Sequence, residues 1–250
     1  MKVTFILLIL AAIGAGYIFR QTHKSVPAQP TDQTIIAQPT IAATPDFEVS
    51  LENRTFFVFW QNIRGNNLSL IPNFENRRTS TQQMEEYTCA YGVNGGFYTK
   101  DYKPIGLFTS EGKTLSAPIL DQTFNGFFVK ESDGELLITK RPPSDLVSFA
   151  LQSGPYINRQ TSLRIKNDDF ERRMVVAKTG DDIWYFIALT EKDNPFGGPQ
   201  LAQVPKILQL LPLGLDEALN LDGGSASAFH NTNGMHLGEL TPIGSFFCGK

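Results

Sequence analysis

Short runs of β-branched and aromatic residues, each closed off by glycine, asparagine or aspartate, constrain this chain more than any other feature. Thr55-Phe56-Phe57-Val58-Phe59-Trp60 is the strongest of them, a segment that packs on a pleated surface far better than on a helix. Gly65-Asn66-Asn67 closes it, and residues 68–71 read as the returning strand of a hairpin. The pattern recurs at residues 89–93, 104–108, 127–130, 136–139, 149–152, 174–177 and 183–189, with turn signals at Glu111-Gly112, Asp133-Gly134 and Gly180-Asp181-Asp182. Helical spacing is clear only at residues 200–211, where Leu201, Val204, Ile207, Leu208 and Leu211 fall on one face and Pro205 suits the first turn. Residues 80–87 suit a short helix capped by Ser80 or Thr81. The expectation is an α+β protein of mixed β-sheets with few helices.

The beginning of the chain does not fit that pattern. Lys2 precedes an apolar run over residues 3–19, and Arg20, His23 and Lys24 follow it. The run is short for a bilayer span and long for the apolar part of a signal peptide. Ala12-Ile13-Gly14 offers small residues for cleavage, yet Tyr17-Ile18-Phe19 carries the run past it. Residues 1–20 are therefore read as a membrane anchor or signal segment. Residues 21–46, with Pro27, Pro30, Pro39 and Pro45 among Gln, Thr and Ala, are read as a flexible linker, since they carry too little apolar surface to offset the entropy of ordering. Residues 47–250 form the domain, expected on the extracytoplasmic side and tethered or secreted.

A net charge of -3 argues against a broad nucleic-acid-binding surface. The two cysteines, Cys89 and Cys248, could close a large loop in an oxidising compartment, or Cys89 could be a small core residue. One such pair cannot form a zinc site, and His230 and His236 have no metal-type spacing with either, so no metal and no cofactor is expected.

Three segments share one form: an apolar strand that ends in a polar side chain followed by glycine. Leu221-Asp222-Gly223-Gly224-Ser225 offers a carboxylate beside glycines whose N–H groups can cradle an anion. Asn94-Gly95-Gly96-Phe97 offers an amide suited to sugar hydroxyls and an aromatic that could flank a sugar face. Gln152-Ser153-Gly154-Pro155 is the third. Arg173, preceded by Arg172, opens a clear strand and could grip phosphate in a bidentate manner. Each segment alone could equally be an ordinary turn or a solvated strand end. Two near-motifs fail on spacing or context: Gly106 to Thr114 as a P-loop, and Gly223 to Ser227 as a nucleophile elbow.

Taken in order, Val93-Asn94-Gly95-Gly96-Phe97-Tyr98, Gln152-Ser153-Gly154-Pro155-Tyr156, Arg173-Met174-Val175-Val176-Ala177 and Asn220-Leu221-Asp222-Gly223-Gly224-Ser225 resemble the phosphodiester glycosidase family over roughly residues 55–250. Its members include a lysosomal enzyme that uncovers mannose phosphate and many bacterial envelope proteins. The chain departs from the pattern at Met174-Val175, where small residues are usual, and at Ser225, where a third glycine is usual. The resemblance implies glycine-rich strand-end turns converging on one cleft, and hydrolysis at the anomeric carbon of a sugar linked through phosphate. It implies catalytic roles for Asp222 (base or oxocarbenium stabiliser), Arg173 (phosphate) and Asn94. Gly95, Gly96, Phe97, Gln152, Ser153, Gly154, Gly223, Gly224 and Ser225 would then line the substrate. A second carboxylate could be Asp168, Asp169 or Glu171. The implied partners are a sugar-phosphate or glycan and, through the N-terminal segment, a membrane. The main rival is a non-catalytic module that binds envelope glycan or teichoic-type polymers; a metal-dependent phosphodiesterase ranks below it.

Overall fold

The computed structural model describes residues 43–143 and 146–250. The expected anchor and most of the linker lie outside the described residues, among which no helix is long and apolar enough to cross a membrane. In chain order the elements are β1 (Phe47–Leu51), β2 (Arg54–Ile63), β3 (Leu68–Pro72), α1 (Ser80–Glu86), β4 (Tyr91–Asn94), β5 (Phe108–Ser110), β6 (Lys113–Ser116), β7 (Gly126–Glu131) and β8 (Leu136–Thr139). There follow β9 (Val147–Ser153), β10 (Tyr156–Asn158), β11 (Arg173–Thr179), β12 (Trp184–Glu191), α2 (Val204–Leu210), β13 (Leu215–Asn220), β14 (Phe229–His230), β15 (His236–Leu237) and β16 (Ser245–Gly249).

The strand-rich, helix-poor expectation matches this architecture. The strands form three sheets, in the orders β1-β2-β12-β11-β13-β10, β15-β14-β4-β16-β3 and β6-β5-β9-β7-β8. Every pairing between them is antiparallel.

The first sheet is buried on both faces, and the period of two decides which side chain goes where. Met174, Val176, Phe186 and Ala188 point into a central core shared with Val93 and Phe247 of the second sheet and Phe128, Phe149 and Leu151 of the third. Their neighbours Val175, Ala177, Ile187 and Leu189 point the other way, onto Val204, Ile207 and Leu208 of α2. The aromatic side chains expected to fill a sheet core do so: Phe128 meets Phe149 and Phe247 at ring-centroid distances of 5.3 Å.

Three local expectations change. β3 does not return along β2; it pairs with β16 in the second sheet, because β1 and β12 already occupy both edges of β2. The cap of α1 is Thr79, whose side chain accepts from Gln82 N–H while the Gln82 side chain accepts from Thr79 N–H, a reciprocal pair that neither Ser80 nor Thr81 could make. The strand expected over residues 104–108 shrinks to a bridge between Tyr98 and Pro104, and β5 starts only at Phe108. Pro205 does sit in the first turn of α2, behind a 3-10 turn at Leu201–Gln203. Cys89 and Cys248 are bonded, with Cα atoms 5.4 Å apart, tying the approach to β4 onto β16.

The three glycine segments are the places where the chain passes from sheet to sheet. After β4 it leaves the second sheet through Gly95-Gly96 for β5 of the third. After β9 it leaves the third through Gly154-Pro155 for β10 of the first. After β13 it leaves the first through Asp222-Gly223-Gly224 for β14 of the second.

Candidate active site

The end of β13 gathers these crossings. Asn220, the last residue of β13, receives Ser153 Oγ at 2.7 Å and Gly154 N–H at 3.1 Å on its carbonyl, and its own Nδ2 donates to Gly154 O at 3.0 Å. Two residues on, Asp222 N–H donates to Gly95 O at 3.1 Å and Asp222 O accepts from Asn94 Nδ2 at 2.9 Å. Main-chain bonds therefore join the Asn94-Gly95, Ser153-Gly154 and Asp222 segments directly. Glycine at 95 has a packing reason: a Cβ there would collide with the Ser245 side chain.

Arg173 reaches the same place by strand register. β11 and β13 pair antiparallel with Val175 opposite Asn220. Beyond that pair the two chains stay side by side, with Arg173 Cδ 3.8 Å from where a Cβ on Gly223 would lie. Leu221 N–H donates to Met174 O at 2.8 Å in the same register, whereas Gly224 N–H donates to Arg172 O at 2.9 Å, one residue out of it, so the pairing becomes irregular beyond Leu221. Alternation along the chain places Glu171 and Arg173 on one face. Arg173 Nη1 lies 3.9 Å from Glu171 Oε2, and a Cβ on Gly224 would lie 2.8 Å from the same oxygen. Gly224 also has φ +60°, a left-handed backbone that favours glycine.

The electrostatics follow from burial. Residue 222 keeps some solvent contact, but its carboxyl is enclosed by protein, and desolvation raises its pKa to about 7. The Gly223 N–H bond at 2.9 Å pulls it down and the Glu171 charge pushes it up. Burial draws the Arg173 guanidinium below its ordinary value, while Asp168, Glu171 and Asp169 draw it back. Arg173 is held by Pro199 O at 3.0 Å, Asp169 O at 2.7 Å and Asp168 Oδ1 at 3.3 Å, leaving Nη1 turned toward Glu171. Arg172 is fully buried, donates to Pro195 O at 2.6 Å and Gly238 O at 3.0 Å, and leaves Nη2 without a partner among the described residues.

Several expected substrate ligands are engaged elsewhere. Asn94 Nδ2 donates to Asp222 O and Gly95 O, and Oδ1 accepts from Ala228 N–H at 2.9 Å, so its amide orders backbone. Gln152 Oε1 accepts from the N–H groups of Leu107 and Ile119, and Nε2 donates to the carbonyls of Ile119 and Phe124, which fixes the loop before β7. Phe97 is half-buried, its ring centroid 5.0 Å from that of Phe124 at the end of the same loop. Ser225 is exposed, and its carbonyl accepts from Leu240 and Thr241 N–H.

Two residues of the quoted motifs, Tyr98 and Asn220, stand at the site without having been counted among its expected residues. Tyr98 is raised in pKa by burial first and the Asp222 charge second, and its hydroxyl donates to Pro242 O. Asn220 was visible only as the residue before Leu221-Asp222; its Oδ1 is buried without a partner among the described residues. Glu171 had a usable signal in its two-residue spacing from Arg173, which puts both side chains on one strand face.

A family model described as phosphodiester glycosidase matches residues 87–245. No curated protein matches. The catalytic domain of zebrafish N-acetylglucosamine-1-phosphodiester alpha-N-acetylglucosaminidase, auto-inhibited by its pro-peptide, aligns at TM-score 0.57 and 14% identity, covering 83% of this chain and 86% of that one. A hypothetical protein from Synechocystis aligns at TM-score 0.56 and 14% identity, over 81% of this chain and 60% of that one. A Burkholderia pseudomallei protein described as exported aligns at TM-score 0.53 and 11% identity, over 80% of this chain and 74% of that one. At such identities these likenesses speak for the fold.

Proposed function

This chain belongs to the phosphodiester glycosidase family, and from that premise we propose that it hydrolyses a sugar-phosphodiester of an envelope or extracellular glycan, cleaving at the anomeric carbon and releasing a phosphomonoester. The observation that carries this reading is the enclosed Asp222 carboxyl just past the end of β13, with a pKa of about 7, next to a Gly223 turn along which the buried Arg173 side chain runs. A phosphomonoester departs more readily than an alcohol, so the site needs positive charge on the phosphate and modest proton donation to it.

In this reading Arg173 holds the phosphate through Nη1, and the Gly223-Gly224 turn leaves room for the ligand. Asp222, about half protonated at pH 7, gives its proton to the departing phosphate oxygen. Burial thus favours an acid role over the base role that sequence suggested. Asn94 and Ser153 act by position, the one holding Asp222 O and the other Asn220 O. The Cys89–Cys248 bond and the likeness to an exported protein support a place outside the cytoplasm, where disulfides persist.

The test is turnover of the methyl phosphodiester of N-acetylglucosamine 1-phosphate. Release of free sugar that falls by about 100-fold or more in Asp222→Asn supports the assignment. Sugar release unchanged in a folded Asp222→Asn chain removes Asp222 from the chemistry, and binding without any release favours the glycan-binding module instead.

A further inference from the structure

We propose that Glu171 is the second carboxylate of the site, the group that takes a proton from the attacking water while Asp222 serves the leaving group. This rests on the glycosyl-phosphodiester reading above and gives it the partner that reading lacks.

Of the acidic residues ahead of Arg173, Glu171 is the one whose carboxylate lies against the Gly224 turn. Asp168 is spent: Oδ1 accepts from Leu201 N–H at 2.8 Å, Oδ2 from Ala202 N–H at 2.7 Å, and Arg173 lies against it. Asp169 meets Arg173 through its main-chain carbonyl. Glu171 stands opposite the Gly224 turn, with Oε2 and Oε1 within 2.8 and 3.2 Å of where a Cβ on Gly224 would lie. Its only ion pair among the described residues is the loose 3.9 Å approach to Arg173 Nη1. The Glu171 side chain is 49% exposed against 6% for Asp168, so water and substrate can reach it.

The two carboxylates thus have opposite environments, one desolvated and one in solvent, which suits one to hold a proton and the other to receive one. The groups facing Asp222 are the Glu171 carboxylate, the Tyr98 phenol and the Gly223 N–H. The step balances. Water oxygen bonds to the anomeric carbon as the bond from that carbon to the phosphate oxygen breaks. The water proton goes to Glu171, and the Asp222 proton goes to the departing oxygen. Exchange with solvent then returns both carboxylates to their starting states.

The experiment uses the full chain and the methyl phosphodiester of N-acetylglucosamine 1-phosphate. Glu171→Gln is expected to lower kcat by about 100-fold or more while KM stays within about threefold of the parent. The alkaline limb of the kcat/KM profile, which belongs to Asp222, should remain. Added formate should restore part of the activity of Glu171→Ala, and Glu171→Asp should fall between parent and amide. A merely structural Glu171 would raise KM or lower the melting temperature, and formate would not help. An unchanged kcat in Glu171→Gln, or a loss confined to KM, overturns the proposal. If the parent turns over and Glu171→Gln does too, this inference alone fails; if the parent does not turn over, the functional reading fails and this falls with it.

Discussion

Replacing Asp222 by asparagine separates what its burial does for chemistry from what it does to stability. The folded carboxyl titrates at about 7, against an ordinary value of 3.8. A folded pKa raised in this way means that the native state holds the proton more tightly than the unfolded chain. Stability from this group is therefore fully present below about pH 4 and is lost as pH rises through about 7. At about 1.4 kcal/mol per pKa unit the loss approaches roughly 4 kcal/mol above pH 8, and the residual solvent contact of the residue reduces the expected figure to about 2–3 kcal/mol. Asparagine keeps an acceptor for Gly223 N–H and cannot ionise. Asp222→Asn should therefore melt about 5–10 °C above the parent at pH 8.5 and nearly with it at pH 4. Parallel melting curves across that range give the answer. A difference between parent and variant that does not change with pH, or a parent that is the more stable at pH 8.5, would refute the burial argument.

Gly224→Ala should destabilise by about 1–2 kcal/mol from the left-handed backbone alone, and displace Glu171, so turnover should drop with it; denaturant unfolding and a rate assay check both. Cys248→Ser should cost about 3–5 kcal/mol, measured by unfolding midpoints with and without reductant, because a loop of 159 residues is no longer closed in the unfolded chain. Gln152→Ala should cost about 3 kcal/mol and speed hydrogen exchange at the Leu107 and Ile119 amides, both of which donate to Gln152 Oε1.

The sequence by itself determined the strands and much of what stands at their ends. β-branched and aromatic runs have one good use, a pleated buried surface, and the residues 174–177 and 183–189 paired across their turn as their pattern required. Family membership was also legible, because Asn-Gly-Gly and Asp-Gly-Gly stand where space is tight or, at Gly224, where φ is positive, local demands that glycine meets best. Which strands would pair was not legible. β3 looked like the partner of β2 and instead joined β16, because edge occupancy depends on strands more than a hundred residues away.

The division of labour at the site was likewise decided by tertiary structure. Asn94 and Gln152 looked like sugar ligands, since an amide side chain reads the same whether it faces solvent or backbone. Packing turned both onto main-chain groups. Asp168, Asp169 and Glu171 were equivalent as letters. The approach of Glu171 to the Gly224 turn and the capping of residues 201 and 202 by Asp168 made them different. The proton affinity of Asp222 has the same origin: sequence placed a carboxylate at the end of a strand, and only the meeting of three sheets around it removed the water that would have kept it ionised.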